Sequence, residues 1–480
     1  MENIPGIENP PVTDYADQNR WLTGREHTMA DTSAHAPAGS GDALTVATAS
    51  RLASISAPLT GKARIQSIDT LRGVALFGIL LMNIVAFANP FAAYLDPRVD
   101  GAGAGIDLAT FMAVDILAEG SMRAIFSMLF GAGMLIFLNK PNADPDAVKL
   151  LYYRRALLLV AFGLFNAYIL VWPGDILYTY GMTGLVLYFF RNQPATRLAG
   201  IAAAVLVLLA LVHSGMHWQA RMLNNEVTAL QALPEGTELT AEQTATMEAW
   251  ETFLEQQFMT PALIAEEQAI KQSGYWDNFV HAAQSNVFIQ TFAFVVNTFW
   301  DALAMMLLGM AFLKWGVFDA SRSMRFYTLL CLLGFAVGIP LNAWETITYV
   351  NSGYQLHWSS FNRPTYDLGR LSLALGYIGL VMMICKSGVL GFLRHGLARV
   401  GQMALTNYLS QSVICNLVFL GFGLGLAGEL QRHQIYYIVL AIWIAQFWFS
   451  IWWLQRYRFG PAEWLWRSPT YGQAQPLRLA

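Results

Sequence analysis

The chain has 480 residues, 55% of them hydrophobic and only 13% charged, against roughly 25% charged in an ordinary soluble domain. With a mean hydropathy of +0.40, this composition excludes a conventional soluble fold and points to a polytopic membrane protein. The formal net charge of −3 says little by itself, because the signs are sorted by loop, and no nucleic-acid partner is expected.

Residues 1–62 are rich in Ala, Ser, Thr, Gly, Pro and Asp and lack a helical apolar stripe, the composition of a disordered tail. No apolar core arises before Val74, so the segment is not a secretory signal. Beyond it the sequence predicts an all-α membrane bundle of about ten spans over residues 63–475. Each is near the twenty residues that cross a ~30 Å hydrocarbon core. They fall at 71–90, 121–139, 155–172, 176–190, 198–214, 286–313, 326–345, 367–385, 402–421 and 435–454. The stretch "DLATFMAVDILAEG" before the second span is apolar but short and acid-bearing, and is expected to be re-entrant or to lie on the surface. An insertion at about 215–285 holds ten acids against Arg221 and Lys271 and is expected to form a helical periplasmic cap. His213, His217 and His281 stand at its edges, too far apart in sequence to indicate a metal site. The three cysteines lie in apolar runs at no metal-like spacing, and neither a metal nor a permanently bound cofactor is expected.

Lysine and arginine alternate between loops. One set holds Lys62 and Arg64, Lys140 to Arg155, Arg191 and Arg197, Lys314 to Arg325, Lys386 to Arg399, and Arg456 to Arg467. The other holds little beyond Arg98, Arg363 and Arg432. By the positive-inside rule this predicts both termini in the cytoplasm of a multi-pass bacterial inner-membrane protein.

Polar residues inside apolar spans cost roughly 2.5–3.5 kcal/mol each when ionisable, so each needs a partner or a task. "SIDTLRGVALFGILLMNIVAF" places Asp69 and Arg72 at the lip of the first span and Asn83 about three turns in. Asp115, Glu119 and Arg123 would share one face if their helix is continuous, with Glu119 and Arg123 in the favourable ion-pair order. Asp301 must meet a cation, a hydroxyl or water from another helix. Asn407 and Gln411, with Thr406 and Ser410, form a polar stripe suited to interhelical hydrogen bonds. Asp175 in "WPGDIL" is placed to cap the fourth span. Arg370 follows Asp367 by three, and His357 and Arg363 precede them in a loop expected to be solvated.

"RIQSIDTLRGVALFGILLMNI", "SMLFGAGM", "GDILYTYGMTGLVL", "DALAMMLLGMAFLKWGV", "GQMALTNYLSQSVI" and "FGPAEWLWRSPTYG" resemble the YeiB-like bacterial membrane proteins, a family of unknown biochemical function. The resemblance covers about 64–475. More distantly, the D-x-x-R-G opening resembles transmembrane acyltransferases, including the heparan glucosaminide acetyltransferase branch and the polysaccharide O-acyltransferases. That likeness implies acyl-CoA as a cytosolic donor and an acceptor at the outer face. Asp69 and Arg72 would then belong to the donor entrance, and Asn83 would stand where the heparan branch has an asparagine. The heparan branch supplies a histidine shortly afterwards, and YeiB-like proteins often have one before GDIL; here the first stretch has none and the second has Asn166.

The expectation is therefore an acyltransferase in which Asp115 and Glu119 are the catalytic carboxylates, with Asp115 as the base that takes the acceptor's proton. Arg72, Arg154 and Arg155 would form a cationic inner mouth for the donor phosphates. Asn83, Asp175, Asp301, Arg370, Asn407 and Gln411 would line the path between. A transporter of a small polar solute, using Asp301 and Asp115, is the alternative; oligomeric state is not legible.

Overall fold

The structure, a computed structural model, describes residues 65–139, 144–234, 236–256, 259–359 and 363–479; the predicted tail at 1–62 lies outside them. The described residues form helices in the order α1 (Gln66–Ala88), α2 (Ala92–Leu95), α3 (Gly105–Ala118), α4 (Ser121–Leu138), α5 (Pro145–Leu164), α6 (Leu177–Leu187), α7 (Ala195–Gln231), α8 (Ala241–Gln256), α9 (Pro261–Lys271), α10 (Tyr275–Phe288), α11 (Phe299–Lys314), α12 (Met324–Asn351), α13 (Tyr366–Ser387), α14 (Gly391–Gln402), α15 (Ala404–Phe419), α16 (Arg432–Leu454) and α17 (Pro461–Tyr471). A π-helical turn prolongs α5 through Ile169, and a longer one over Ile289–Thr298 joins α10 to α11.

Seven helical stretches among the described residues are long and apolar enough to cross a membrane: 66–88, 105–138, 195–231, 275–314, 324–351, 366–387 and 432–454. The sequence predicted ten. The other three exist as helices but are short or charged: α5 carries Lys149, Arg154 and Arg155, α6 has eleven residues and α15 sixteen. The acid-bearing α3 buries only Phe111, Asp115 and Ala118. It leads into α4 through Glu119 and Gly120, so the pair makes one broken stretch.

Close helix packing rests on glycines. A Cβ on Gly309 of α11 would sit 1.8 Å from the Met128 carbonyl oxygen of α4, and one on Gly131 would sit 2.1 Å from that of Met306. The two backbones therefore approach as only small residues permit. Likewise Gly73 of α1 would clash with Leu397 of α14, and Gly401 with Asp69. The glycine of the D-x-x-R-G opening is thus explained by packing. The windows in α1 and α3–α4 are the most enclosed, whereas α7, α12 and α16 present broad apolar faces outward, as lipid contact requires.

The bundle has two ends, called here the basic face, where α1 begins, and the insertion face, where α1 ends. Within the insertion, α9 is clamped to the bundle. Glu267 accepts from the Phe91 amide at 2.9 and 3.0 Å, Lys271 Nζ donates to the Ala86 carbonyl at 2.8 Å, and Gln268 donates to that of Ala427 at 2.7 Å. The three arginines of the sparsely basic loops are all paired: Arg98 with Asp96 at 2.6 Å, Arg363 with Asp115 at 2.8 Å and Arg432 with Asp100 at 2.8 Å. These three cations are neutralised by nearby acids.

At the basic face α17 docks through Glu463. Its carboxylate accepts from the Leu405 and Thr406 amides at 2.7 and 3.1 Å and from the Thr406 hydroxyl at 2.5 Å, capping the first turn of α15. Burial pushes the Glu463 carboxyl up from its ordinary range, while the amide donors favour its ionised form. Glu463→Gln retains an acceptor and is expected to leave thermal unfolding nearly unchanged. Glu463→Ala orphans the buried amides and should cost about 1–3 kcal/mol; equal behaviour of the two variants would contradict a capping role.

Candidate functional site

Three features cluster around α1, α4 and α15: a cavity at the basic face, a buried charged network, and a second cavity at the insertion face.

The first cavity has about 1040 Å³ of empty space, counting its open mouth, the size of a small-molecule site. Arg72, Arg155 and Arg467 line it together with Glu463 and Gln402, and its depth is aliphatic and aromatic, with Phe126, Phe130, Leu159, Leu177 and Tyr180. Arg72 is held by Asp69, Nη1 to Oδ1 at 3.0 Å, with the acid buried and the arginine side chain 24% exposed. Arg155 stacks on Trp466 with its guanidinium carbon 3.8 Å from the ring centre. Arg72 and Arg155 thus line one cavity. Arg154 is exposed and does not line it. Arg467 takes that place; in sequence it resembled one more positive-inside residue.

At the deep end Tyr180 shares a 2.6 Å hydrogen bond with Ser127 and donates to the Arg123 carbonyl at 3.4 Å. Here the charged network begins. Arg123 lies 3.7 Å from Asp301 and donates to the Tyr366 hydroxyl at 3.3 Å. Tyr366 in turn donates to Glu119 at 2.9 Å, and Tyr94 donates to the other Glu119 oxygen at 2.7 Å. Arg370, buried, bridges Asp301 and Asp367. His213 Nδ1 stands 3.2 Å from the second Asp367 oxygen.

The break between α3 and α4 makes this arrangement. Gly120 has φ 66°, and a Cβ there would meet the Tyr366 hydroxyl at 2.6 Å. Because the helix is broken, the continuity on which a shared face for Asp115, Glu119 and Arg123 depended is not met. Asp115 instead accepts from Arg363 at 2.8 Å and from Thr346 at 2.6 Å. Of the partners open to Asp301, a cation, a hydroxyl or water, the structure supplies cations, Arg123 and Arg370. Arg363 and His357, expected in a solvated loop, are 2% and 3% exposed. No sequence signal marked His213, which α7 delivers from the edge of the insertion.

The remaining predicted residues separate. Asn407 donates to Ser450 at 3.0 Å, Gln411 to Gln446 at 3.1 Å, and Gln446 back to the Asn407 carbonyl at 2.8 Å. That stripe is an α15–α16 hydrogen-bond layer. Asp175 accepts from the Tyr178 amide and from Asn166, both at 2.8 Å, so it caps α6 as predicted. Asn83 is half-buried and its side chain makes no hydrogen bond to a described residue. At about 100° per residue it shares a face of α1 with Arg72 of the first cavity and Phe87 of the second.

The second cavity, about 960 Å³, lies under α9 and against α10. Its floor is the Phe87–Trp172 stack, with ring centres 3.8 Å apart. Both cavities touch α15, the first at Tyr408 and the second at Asn416, about 12 Å apart along the helix.

Residues 312–473 match the family model described as "Protein of unknown function (DUF418)". The chain is similar to the uncharacterized protein YeiB of Escherichia coli (strain K12), with 29% identity over 417 residues, 85% of this chain and 97% of that protein. It is also similar to the uncharacterized protein YxaH of Bacillus subtilis (strain 168), with 28% identity over 445 residues, 89% of this chain and 98% of that one. A 39.9 kDa uncharacterized protein of Bacillus acidopullulyticus is 24% identical over 427 residues, covering 88% and 98%. The two spans reach beyond the matched domain to take in the half of the chain that carries Arg72, Glu119 and Asp301. The chain is thus similar over most of its length to the YeiB-like proteins, and its residues 312–473 match a family model of unknown function.

Proposed function

We propose that the protein is a membrane acyl-group transferase, with its basic face and both termini in the cytoplasm of a bacterial inner membrane and the ten predicted helices in or against the bilayer. The observation that carries this reading is the first cavity. Its mouth gathers Arg72, Arg155 and Arg467 above a depth of aromatic and aliphatic side chains. That pattern suits an acyl-CoA, with phosphates on arginine forks and the acyl chain among Phe126, Phe130 and Leu159.

In this reading an acceptor hydroxyl oxygen attacks the thioester carbonyl carbon. The carbon–sulfur bond breaks, the ester forms, and the departing thiolate takes up a proton to leave as free CoA. A group must accept the hydroxyl proton. Asp115 was the expected base, but its carboxylate is engaged by Arg363 and Thr346. We take Glu119, whose carboxylate accepts from two tyrosine hydroxyls at the helix break, as the base in its stead, with Asp115 fixing α3 against α12. His213 and Asp367 make a buried imidazole–carboxylate pair on the same network, a second proton acceptor where the sequence lacked a histidine.

The test is acyl transfer in proteoliposomes supplied with radiolabelled acetyl-CoA or longer thioesters. Label should pass to a lipid-soluble or lumenal product in the wild type and fall at least tenfold in Glu119→Gln, the scale of a general base. Label that never leaves CoA, with proton-coupled solute flux instead, would overturn the transferase in favour of transport through the same carboxylates.

A further inference from the structure

The second cavity holds features that the first does not explain. His281 and Ser285 stand one turn apart on α10, both lining it, and neither side chain makes a hydrogen bond to a described residue. Beside them, Glu267 and Lys271 approach to 3.8 Å, so the charged wall is neutral as a pair. Both are already engaged, by the Phe91 amide and the Ala86 carbonyl. The rest of the lining is largely apolar. Two of its members, Phe91 and Phe288, are 39% and 45% exposed, and Phe288 begins a run of outward-facing apolar residues with Phe292 and Val295. Such a rim faces hydrocarbon more naturally than water.

These observations define a ligand. Free hydrogen-bonding groups at His281 and Ser285 call for hydroxyls or a carbonyl to pair with. A self-neutralised Glu267–Lys271 wall offers no net charge to hold a phosphate, a carboxylate or an ammonium, and a charged headgroup would lose hydration without compensation. The stacked Phe87–Trp172 floor and the apolar rim suit a hydrocarbon chain. We propose that this cavity binds an uncharged, hydroxyl-bearing membrane lipid, a monoacylglycerol-like amphiphile, entering from the bilayer beside α10. The binding does not depend on acyl transfer; if transfer is also correct, such a lipid is the class of acceptor the site would present.

The test uses the full-length protein in phosphatidylcholine nanodiscs with three photoreactive diazirine probes of equal chain length: a monoacylglycerol, a fatty acid and an alkylamine. The monoacylglycerol should cross-link to peptides 281–289 and 171–174, more strongly than either charged probe, and excess unlabelled monoacylglycerol should suppress it. In His281→Leu/Ser285→Ala the site-specific label should fall about tenfold, as two lost hydrogen bonds imply. Ser285→Phe, which fills the space instead, should do the same, and unchanged thermal unfolding certifies each variant as folded. Equal labelling by the charged probes would overturn the proposal. So would label spread over the lipid-facing helices of the wild type, or labelling that persists in both folded variants. Because these readouts involve no CoA, a protein that fails to transfer acyl groups can still pass this test, and the reverse.

Discussion

Methionine in place of Arg370 is expected to destabilise the bundle by ~3–5 kcal/mol, the cost of leaving buried partner charges uncompensated. Arg370 is 2% exposed and holds both Asp301 and Asp367. Removing it takes the arginine from Asp367 and leaves Asp301 with only the more distant Arg123, 3.7 Å away, in a low-dielectric setting where water cannot replace the lost cation. Arg370→Lys should recover only part, because a point charge cannot span two acids as a planar fork does. Adding Asp301→Asn and Asp367→Asn to Arg370→Met should restore much of the stability, since the two carboxylates Arg370 held are then neutral and Arg123 keeps its link to Glu119 through Tyr366. Thermal unfolding in a mild detergent reads all three. Additive losses in the triple variant would show that Arg370 contributes by packing and not as the hub of an ion network.

Valine at Gly309 is the second large effect. Its first added carbon would lie 1.8 Å from the Met128 carbonyl oxygen, a backbone atom that cannot swing away, so α4 and α11 must part along their length. A loss of ~3 kcal/mol is expected, at the upper end for overpacking a close interface. Gly133→Ala, on the same α4 but with only an Arg72 nitrogen within 4 Å, at 3.9 Å, should unfold near the wild-type temperature. Comparable losses at the two glycines would mean that helix propensity, not interhelical distance, sets the effect.

The sequence showed some of this clearly. Apolar run lengths located the helices, and the depth of Asp301 alone demanded a cation, a hydroxyl or water from another helix. The stripe at Asn407 and Gln411 turned out to be an interhelical layer, the ordinary use of amides between packed helices. What the sequence hid follows from distance along the chain. Asp115 meets Arg363, 248 positions further along the chain, and no local spacing announces such a pair. The break at Gly120 was equally hidden, since one glycine in an apolar run more often means close packing than a positive φ. Because the helix breaks there, Glu119 and Arg123 reach each other through Tyr366 and not as neighbours on one face. His213 was overlooked for a related reason: it sits on a helix that continues out of the bundle, so its position resembled a loop edge.

Acyl-CoA binding at the arginine mouth is the claim on which the transferase reading rests, and a thermal shift in nanodiscs measures it most directly. A ligand that binds only the folded state raises its stability by mass action, about 2.7 kcal/mol at a hundredfold excess over Kd. The wild type should therefore unfold at a clearly higher temperature with saturating acyl-CoA. Arg72→Lys, which keeps the charge and loses the fork, should fold normally and show little shift, as should Arg155→Ala. Free CoA should stabilise less than its long-chain thioesters, because the aromatic depth of the cavity is then left unfilled. A wild-type protein that no CoA thioester stabilises, or an Arg72→Lys variant that shifts as far as the wild type, would contradict the account.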